Sequence, residues 1–295
     1  MTAVTDSDYY TRSFYEARRS GSRSSAKAML THVFNLLGRV PPSVVDVGCG
    51  VGTWLSVALD LGASCVQGFD GAWVQTADLE IPANCFTSCD LANLVPGTLS
   101  SSERYHLVLS LEVAEHLPAT AGPSFVATLC ALGDVVLFSA AIPHQGGTNH
   151  INETWPGYWN ALFREQGFEC FDVVRSVIWM QPDVEWWYAQ NALIFAKRPS
   201  WLREKLAPVA EPMPCVHPRL YLPLSDAVTR LKGEAAELHA RLSALEAEVK
   251  QASAEADEAR RALQGIVASI TWRTTAPLRA VVETGKRLVR RLRGE

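Results

Sequence analysis

Paired cysteines are absent. Seven cysteines are scattered with no Cys-x-x-Cys among them, which excludes a zinc ribbon and offers no disulfide framework. An odd number of unmatched thiols points to a reducing, cytoplasmic setting. No apolar run approaches the ~20 residues that a membrane span needs. The N-terminus carries Asp6, Asp8, Tyr9 and Tyr10, so it lacks the apolar stretch of a secretory signal. A net charge of −4 gives no overall reason to expect nucleic acid as a partner. What is present is a chain of 295 residues that is 48% hydrophobic, enough for one large domain or two modest ones.

One stretch organises the rest: Val44-Val45-Asp46-Val47-Gly48-Cys49-Gly50-Val51-Gly52-Thr53-Trp54. A short apolar run breaks into glycines and resumes as a helical pattern through Leu59. A buried strand, a glycine turn and a helix make the first half of a βαβ unit. Such a turn lets a ligand lie against the backbone and points helix N–H groups at it. No Lys follows the glycines, so this is not a phosphate-cradling loop. The third glycine comes one residue too early for a dinucleotide fingerprint.

The pattern Asp-x-Gly-x-Gly-x-Gly resembles motif I of class I S-adenosylmethionine-dependent methyltransferases. The resemblance implies that Gly48, Gly50 and Gly52 pack against the methionine part of the cofactor, with Asp46 below them. It also implies the fold: an α/β, Rossmann-like, mostly parallel sheet ending in an antiparallel hairpin, here followed by an α-helical coiled coil. A second strand, Ser64 to Phe69, ends in Asp70, roughly 20 residues past the turn, where such a sheet places a carboxylate for ribose hydroxyls. The competing reading of Asp70 is a helix cap. Asp90 ends a weak third strand, where the family often keeps an acid near the adenine amino group; it too is a good cap. Leu111 completes the expected cofactor set.

The fourth strand, Tyr105 to Ser110, runs into Glu112, Glu115 and His116. On a helical turn these three share a face. Two carboxylates and an imidazole make a divalent-metal half-site, although acids also favour a helix start for its dipole. The fifth strand, Asp134 to Ala141, leads to a loop with His144, Gly146, Gly147 and His150. Glu-x-x-Glu-His followed by His-x-x-Glu-x-Trp resembles the metal site of small-RNA 2′-O-methyltransferases. On that resemblance Glu112, Glu115, His116 and His150 are the ligands of a divalent metal such as Mg. Without metal, His116 or His144 is the expected general base.

Upstream, Arg18 to Ser25 reads as a polar break. Ser25 is the expected N-cap of a helix ending at Gly38. Downstream, Val173 to Met180 and Trp186 to Ala196 read as an antiparallel pair. The aromatic run Trp186-Trp187-Tyr188 suits sheet packing or stacking on a sugar.

The domain is expected to span 1–199. A proline-rich linker follows over 200–223, then a coiled coil over 224–270. Taking Leu224 as position d puts Leu231, Leu238 and Leu245 at d, with Val228, Leu242 and Val249 at a, a pattern of a homo-oligomer and most simply a parallel dimer. The alternative is one long helix docked on its own domain. Residues 271–295 hold seven Lys or Arg against Glu283 and Glu295, a basic amphipathic tail suited to an anionic membrane surface or simply solvated. Ser269 to Arg279 resembles a segment that follows coiled coils in bacterial surface-polysaccharide enzymes. The expected activity is therefore S-adenosylmethionine-dependent O-methylation of a sugar hydroxyl in polysaccharide or glycolipid synthesis. Alternatives are a small metabolite, an RNA 3′ end, or an inactive scaffold recruiting glycosyltransferases.

Overall fold

A computed structural model describes residues 11–99, 104–198 and 200–293. It divides into two units, one ending at Pro223 and one beginning at Leu224. The first unit is built on a seven-stranded sheet: β1 Ser43–Val47, β2 Cys65–Asp70, β3 Phe86–Ser88, β4 Leu107–Leu111, β5 Val135–Ser139, β6 Phe168–Phe171 and β7 Leu193–Lys197. Their order is β3-β2-β1-β4-β5-β7-β6. The first five are parallel; β7 runs antiparallel to both β5 and β6. This is the class I methyltransferase strand order. The order reverses between β1 and β4, and a crevice for ligands opens at such a point, beyond the carboxyl ends of the strands.

Strands β1, β4 and β5 are buried almost throughout, because helices cover both faces of the sheet. Helices α1 (Arg12–Leu37) and α2 (Thr53–Asp60) bring Met29, Leu30, Val33, Trp54 and Leu55 to one core. Helices α3 (Gly122–Leu132) and α4 (Pro156–Glu165) bring Phe125, Leu129, Trp159 and Phe163 to the other. Phe163 stacks on Phe195 of β7 with centroids 3.9 Å apart.

Three expectations need correction. First, α1 does not start at Ser25; it runs unbroken from Arg12 to a left-handed cap at Gly38. Ser25 is buried in mid-helix, where its hydroxyl donates to the Gly21 carbonyl and accepts the Glu185 amide. The Arg18–Ser25 stretch is polar because Arg19 and Arg23 pair with Glu80, and Arg23 with Asp60 of α2. Second, Val173 to Met180 is not a strand. The strand before β7 that pairs with its outer edge is β6, and two short helices intervene, α5 (Arg175–Ile178) and α6 (Trp186–Asn191). Arg175 is buried and donates to Asp172 and to the Gln190 and Met213 carbonyls. Those partners hold it in a turn that a strand could not supply. Third, the stretch expected as a proline-rich linker, 200–223, belongs to the first unit. Leu202 is fully buried, Val209 bridges to Cys170, and buried His217 donates its amide to Gln190 Oε1.

The second unit is helical. Helix α7 (Pro218–Ala268) starts within the first unit and continues past Pro223. Helices α8 (Ile270–Thr274) and α9 (Ala276–Arg293) follow. The heptad residues Leu224, Val228, Leu231, Leu238, Leu242, Leu245 and Val249 are all exposed. No helix among the described residues is long and apolar enough to cross a membrane.

Candidate functional site

The glycine turn leaves β1 at the point of strand reversal. Gly48, Gly50 and Gly52 all have positive φ, a region that penalises any Cβ. At Gly48 a Cβ would also sit 2.3 Å from Val113, so the turn is pressed against the segment that follows β4. Gly52 is the N-cap of α2.

Asp70 ends β2 beside this turn. One carboxylate oxygen accepts the Gly50 amide at 2.7 Å and the other accepts the Gly71 amide at 2.6 Å. Burial nevertheless raises its pKa to about 6, those amides pulling the other way. Asp46 is buried within β1, and burial and then the Asp70 charge hold its carboxyl well above the usual range. Asp90 is exposed and caps the turn that follows it, accepting from Ala92 N and Asn93 Nδ2.

Two cavities adjoin the turn. One of about 660 Å³ is lined by Asp70, Trp73, Asp90, Leu91 and Val113. The other, of about 320 Å³, is lined by Asp46, Leu111, His150, Trp186 and Trp187. Tyr15, Gly48, Gly50, Glu112 and His116 line both. The expected cofactor residues Asp70 and Asp90 thus face the larger space, and Asp46 and Leu111 the smaller.

The four expected metal ligands do not all meet. Glu115, His116 and His150 do: each offers one donor atom, and these lie within 4.8 Å of one another. They sit on a 3₁₀ turn, Ala114–His116, and a loop strapped to it. The Glu115 carbonyl accepts both the Ile151 and Asn152 amides at 2.9 Å, which brings His150 beside the turn. Glu112 is not on that turn. It takes the left-handed region with φ of 56°, and its carboxylate accepts Asn191 Nδ2 and Gln145 Nε2 at 3.0 Å. His144 is exposed and lines neither cavity.

The donor set fits a divalent cation. Glu115 is fully buried, and neither carboxylate oxygen has a hydrogen-bond partner among the described residues. The backbone of Glu115 and Ala141 lies near enough to favour the anion weakly, but burial and the Glu112 charge prevail and hold the carboxyl well above its usual range. His116 Nδ1 donates to the Asn149 carbonyl at 3.2 Å and His150 Nδ1 to Glu153 Oε1 at 2.9 Å. Each imidazole therefore presents its Nε2 lone pair, the arrangement that outer-shell acceptors impose on metal-binding histidines. Burial lowers His116 to about 4, so it is neutral and ready to ligate. Two imidazoles with one carboxylate suit a first-row divalent metal such as Mn²⁺ or Zn²⁺ better than Mg²⁺.

Several residues of the site escaped the sequence. Glu153 lies in the quoted motif, yet its work is visible only in the fold: it accepts His150 Nδ1 and the His144 and Gly146 amides. Gln145 and Asn191 carry no motif at all. Tyr15 reaches the turn from α1, its ring 2.9 Å from where a Gly50 Cβ would sit.

No protein-family profile matches the sequence. No curated protein matches it either. Solved structures are similar to it. Magnesium protoporphyrin IX methyltransferase from Synechocystis PCC 6803 with bound SAM is 18% identical over 67% of this chain and 99% of that one, with a TM-score of 0.47. DesVI from Streptomyces venezuelae is 14% identical over 66% and 99%, with a TM-score of 0.48. The small RNA methyltransferase HEN1 is 15% identical over 59% and 25%, with a TM-score of 0.40. By its own strand order and antiparallel β7, the chain has the class I methyltransferase fold.

Proposed function

We propose that the chain is an S-adenosylmethionine-dependent O-methyltransferase whose acceptor is a sugar hydroxyl. The observation that carries this reading is the Asp70 carboxylate bound to the Gly50 amide at the edge of a cavity that adjoins a second one. The larger space suits the nucleoside, with Asp70 accepting the ribose hydroxyls. Gly48 and Gly50 would take the methionine end, and the smaller cavity would take the acceptor. Trp186 and Trp187 line that cavity, and aromatic faces stack well on the C–H face of a pyranose. The Ser269–Arg279 segment, which resembles one found in surface-polysaccharide enzymes, favours a polysaccharide or lipid-linked acceptor.

In the proposed reaction the hydroxyl oxygen attacks the sulfonium methyl carbon in line. The C–S electrons would pass to sulfur, leaving S-adenosylhomocysteine, and the hydroxyl proton would pass to water. The chain's part is to hold oxygen, carbon and sulfur in line, and such positioning supplies much of the rate. His116 is too weak a base alone, since burial holds it near 4. Glu115, His116 and His150 would hold a cation, which lowers the pKa of a hydroxyl it orients.

Calorimetry with S-adenosylhomocysteine tests the cofactor reading directly. Transfer of labelled methyl groups to sugar acceptors, with Mn²⁺ or with chelator, tests the rest. Turnover that requires metal and vanishes in Glu115→Ala with His150→Ala supports it. Full turnover of that double variant in chelator overturns the metal site, and no binding at all overturns the enzyme.

A further inference from the structure

Helix α9 is two-sided. At ~100° per residue, Leu278, Val281, Val282, Leu288 and Val289 fall within an arc of about 120°. Arg279, Lys286, Arg287, Arg290 and Arg291 fall on the opposite arc, about 140° wide. All five apolar side chains are exposed, Val281 to 71%. Glu283 is the helix's one acid against six bases, counting Arg293, for a net charge of +5.

The segment before it explains a motif that the reaction does not use. Ser269 interrupts the helix with extended backbone, and its hydroxyl accepts the Trp272 amide at 3.2 Å. Thr275 donates to the Thr271 carbonyl at 2.7 Å. The Arg279 guanidinium lies 3.7 Å from the Trp272 ring centroid and donates to the Trp272 carbonyl. Ser269, Trp272, Thr275 and Arg279 thus form a hydrogen-bonded corner between α7 and α9. Trp272 is left 41% exposed at that corner, the amphipathic kind of ring that settles at the headgroup level of a bilayer.

Charge decides what covers the apolar arc. Between Leu224 and Ala268 eight acids accompany six bases, so that helix can pair with its own copy. Two copies of α9 would set net +5 against net +5. An anionic surface with an apolar interior satisfies both arcs at once. We infer that α9 docks on an anionic lipid bilayer, lying in the interface with Leu278, Val281, Val282, Leu288 and Val289 among the acyl chains and the cations at the headgroups. The inference concerns the second unit and does not depend on the reaction of the first.

The test is co-sedimentation of the full chain with vesicles in which about a third of the lipid is phosphatidylglycerol, against pure phosphatidylcholine. The expected preference for the anionic vesicles is at least about a hundredfold, falling as salt is raised. Lys286→Glu with Arg287→Glu and Arg290→Glu abolishes the binding. Val282→Ser with Val289→Ser keeps every charge and lowers binding at least about tenfold, because insertion is lost. Helix content by circular dichroism confirms that the variants fold. Equal pelleting of the serine variant overturns insertion and leaves mere counterion attraction. No vesicle binding by the intact chain overturns the inference, and a charge variant that changes the mass in solution without lipid shows that a second copy is the partner instead.

Discussion

Gly50 and Asp70, 20 residues apart in sequence, are joined by a 2.7 Å hydrogen bond from the turn amide to the carboxylate. The bond fixes the glycine turn to the neighbouring strand end and leaves the carboxylate at the rim of the larger cavity. Burial raises the Asp70 pKa from 3.8 to about 6. The sign follows: the group favours folding fully below about 3.8, and that contribution is lost as pH rises through about 6. In the proposed role, ribose hydroxyls would donate to the charged form of Asp70 and so expel its proton. Binding of S-adenosylhomocysteine is therefore expected to release up to about one proton between pH 4 and 6 and none above about 7. Affinity should fall as pH drops below about 6. Calorimetry in two buffers of different ionisation enthalpy measures the proton count. Asp70→Asn should bind about 10- to 100-fold more weakly and lose the proton release.

Glu115 leads to a prediction of opposite sign for stability and function. Its carboxyl is buried with both oxygens unpartnered, and such groups cost about 1–3 kcal/mol each. Glu115→Leu removes that cost, so the metal-free protein should melt several degrees higher, at about 2–4 °C per kcal/mol. Mn²⁺ or Zn²⁺ should raise the melting temperature of the wild type and leave Glu115→Leu unmoved. A metal-free variant that melts lower than wild type would show instead that Glu115 is satisfied in the protein alone.

What the sequence disclosed and what it hid divide along a physical line. The turn, Asp70, the Gly38 cap and the parallel strands were legible because glycine, strand-end acids and apolar runs act through local geometry. The continuity of α1 was hidden because Arg19 and Arg23 look like a solvated break until Glu80 and Asp60 are brought beside them. Arg175 sat in an apolar run that reads as a strand; its partners Gln190 and Met213 lie 15 and 38 residues away. The trio Glu115, His116 and His150 was legible as residue types. The hydrogen bond of Glu112 to Asn191 was not, since that partner is 79 residues distant.

That partner is itself testable. Glu112 is raised by burial and lowered by donors from Asn191, Ser139 and Gln145. Asn191 also donates to Gln145 Oε1 at 2.9 Å, so the three form one network. Removing a donor leaves a buried carboxylate short of partners. Asn191→Ala should destabilise by about 1–3 kcal/mol. The double variant with Glu112→Ala should recover part of that loss, with a coupling of about 0.5–3 kcal/mol. Denaturant unfolding of both singles and the double gives the cycle; strict additivity would mean the contacts carry no stability.

The exposed heptads of α7 set the last expectation, self-association of the chain as a parallel dimer. In that alignment position g of one copy faces position e of the next heptad in the other. Arg241 then meets Glu246, and Glu255 meets Arg260, each pair occurring twice by symmetry. No such g–e pair in the repeat opposes like charges. Arg241→Glu turns two attractions into two repulsions and should weaken the dimer by about 1–2 kcal/mol, roughly tenfold in dissociation constant. Adding Glu246→Arg should restore it, because attraction returns with the signs exchanged. Leu238→Asp, which places a charge in the seam, should abolish association. Sedimentation equilibrium on the full chain distinguishes these outcomes. Recovery in the swapped variant would establish parallel pairing in this register. A dimer indifferent to both charge changes would place its contacts elsewhere or in another alignment, and a wild type that sediments as a monomer would leave the seam without a second copy.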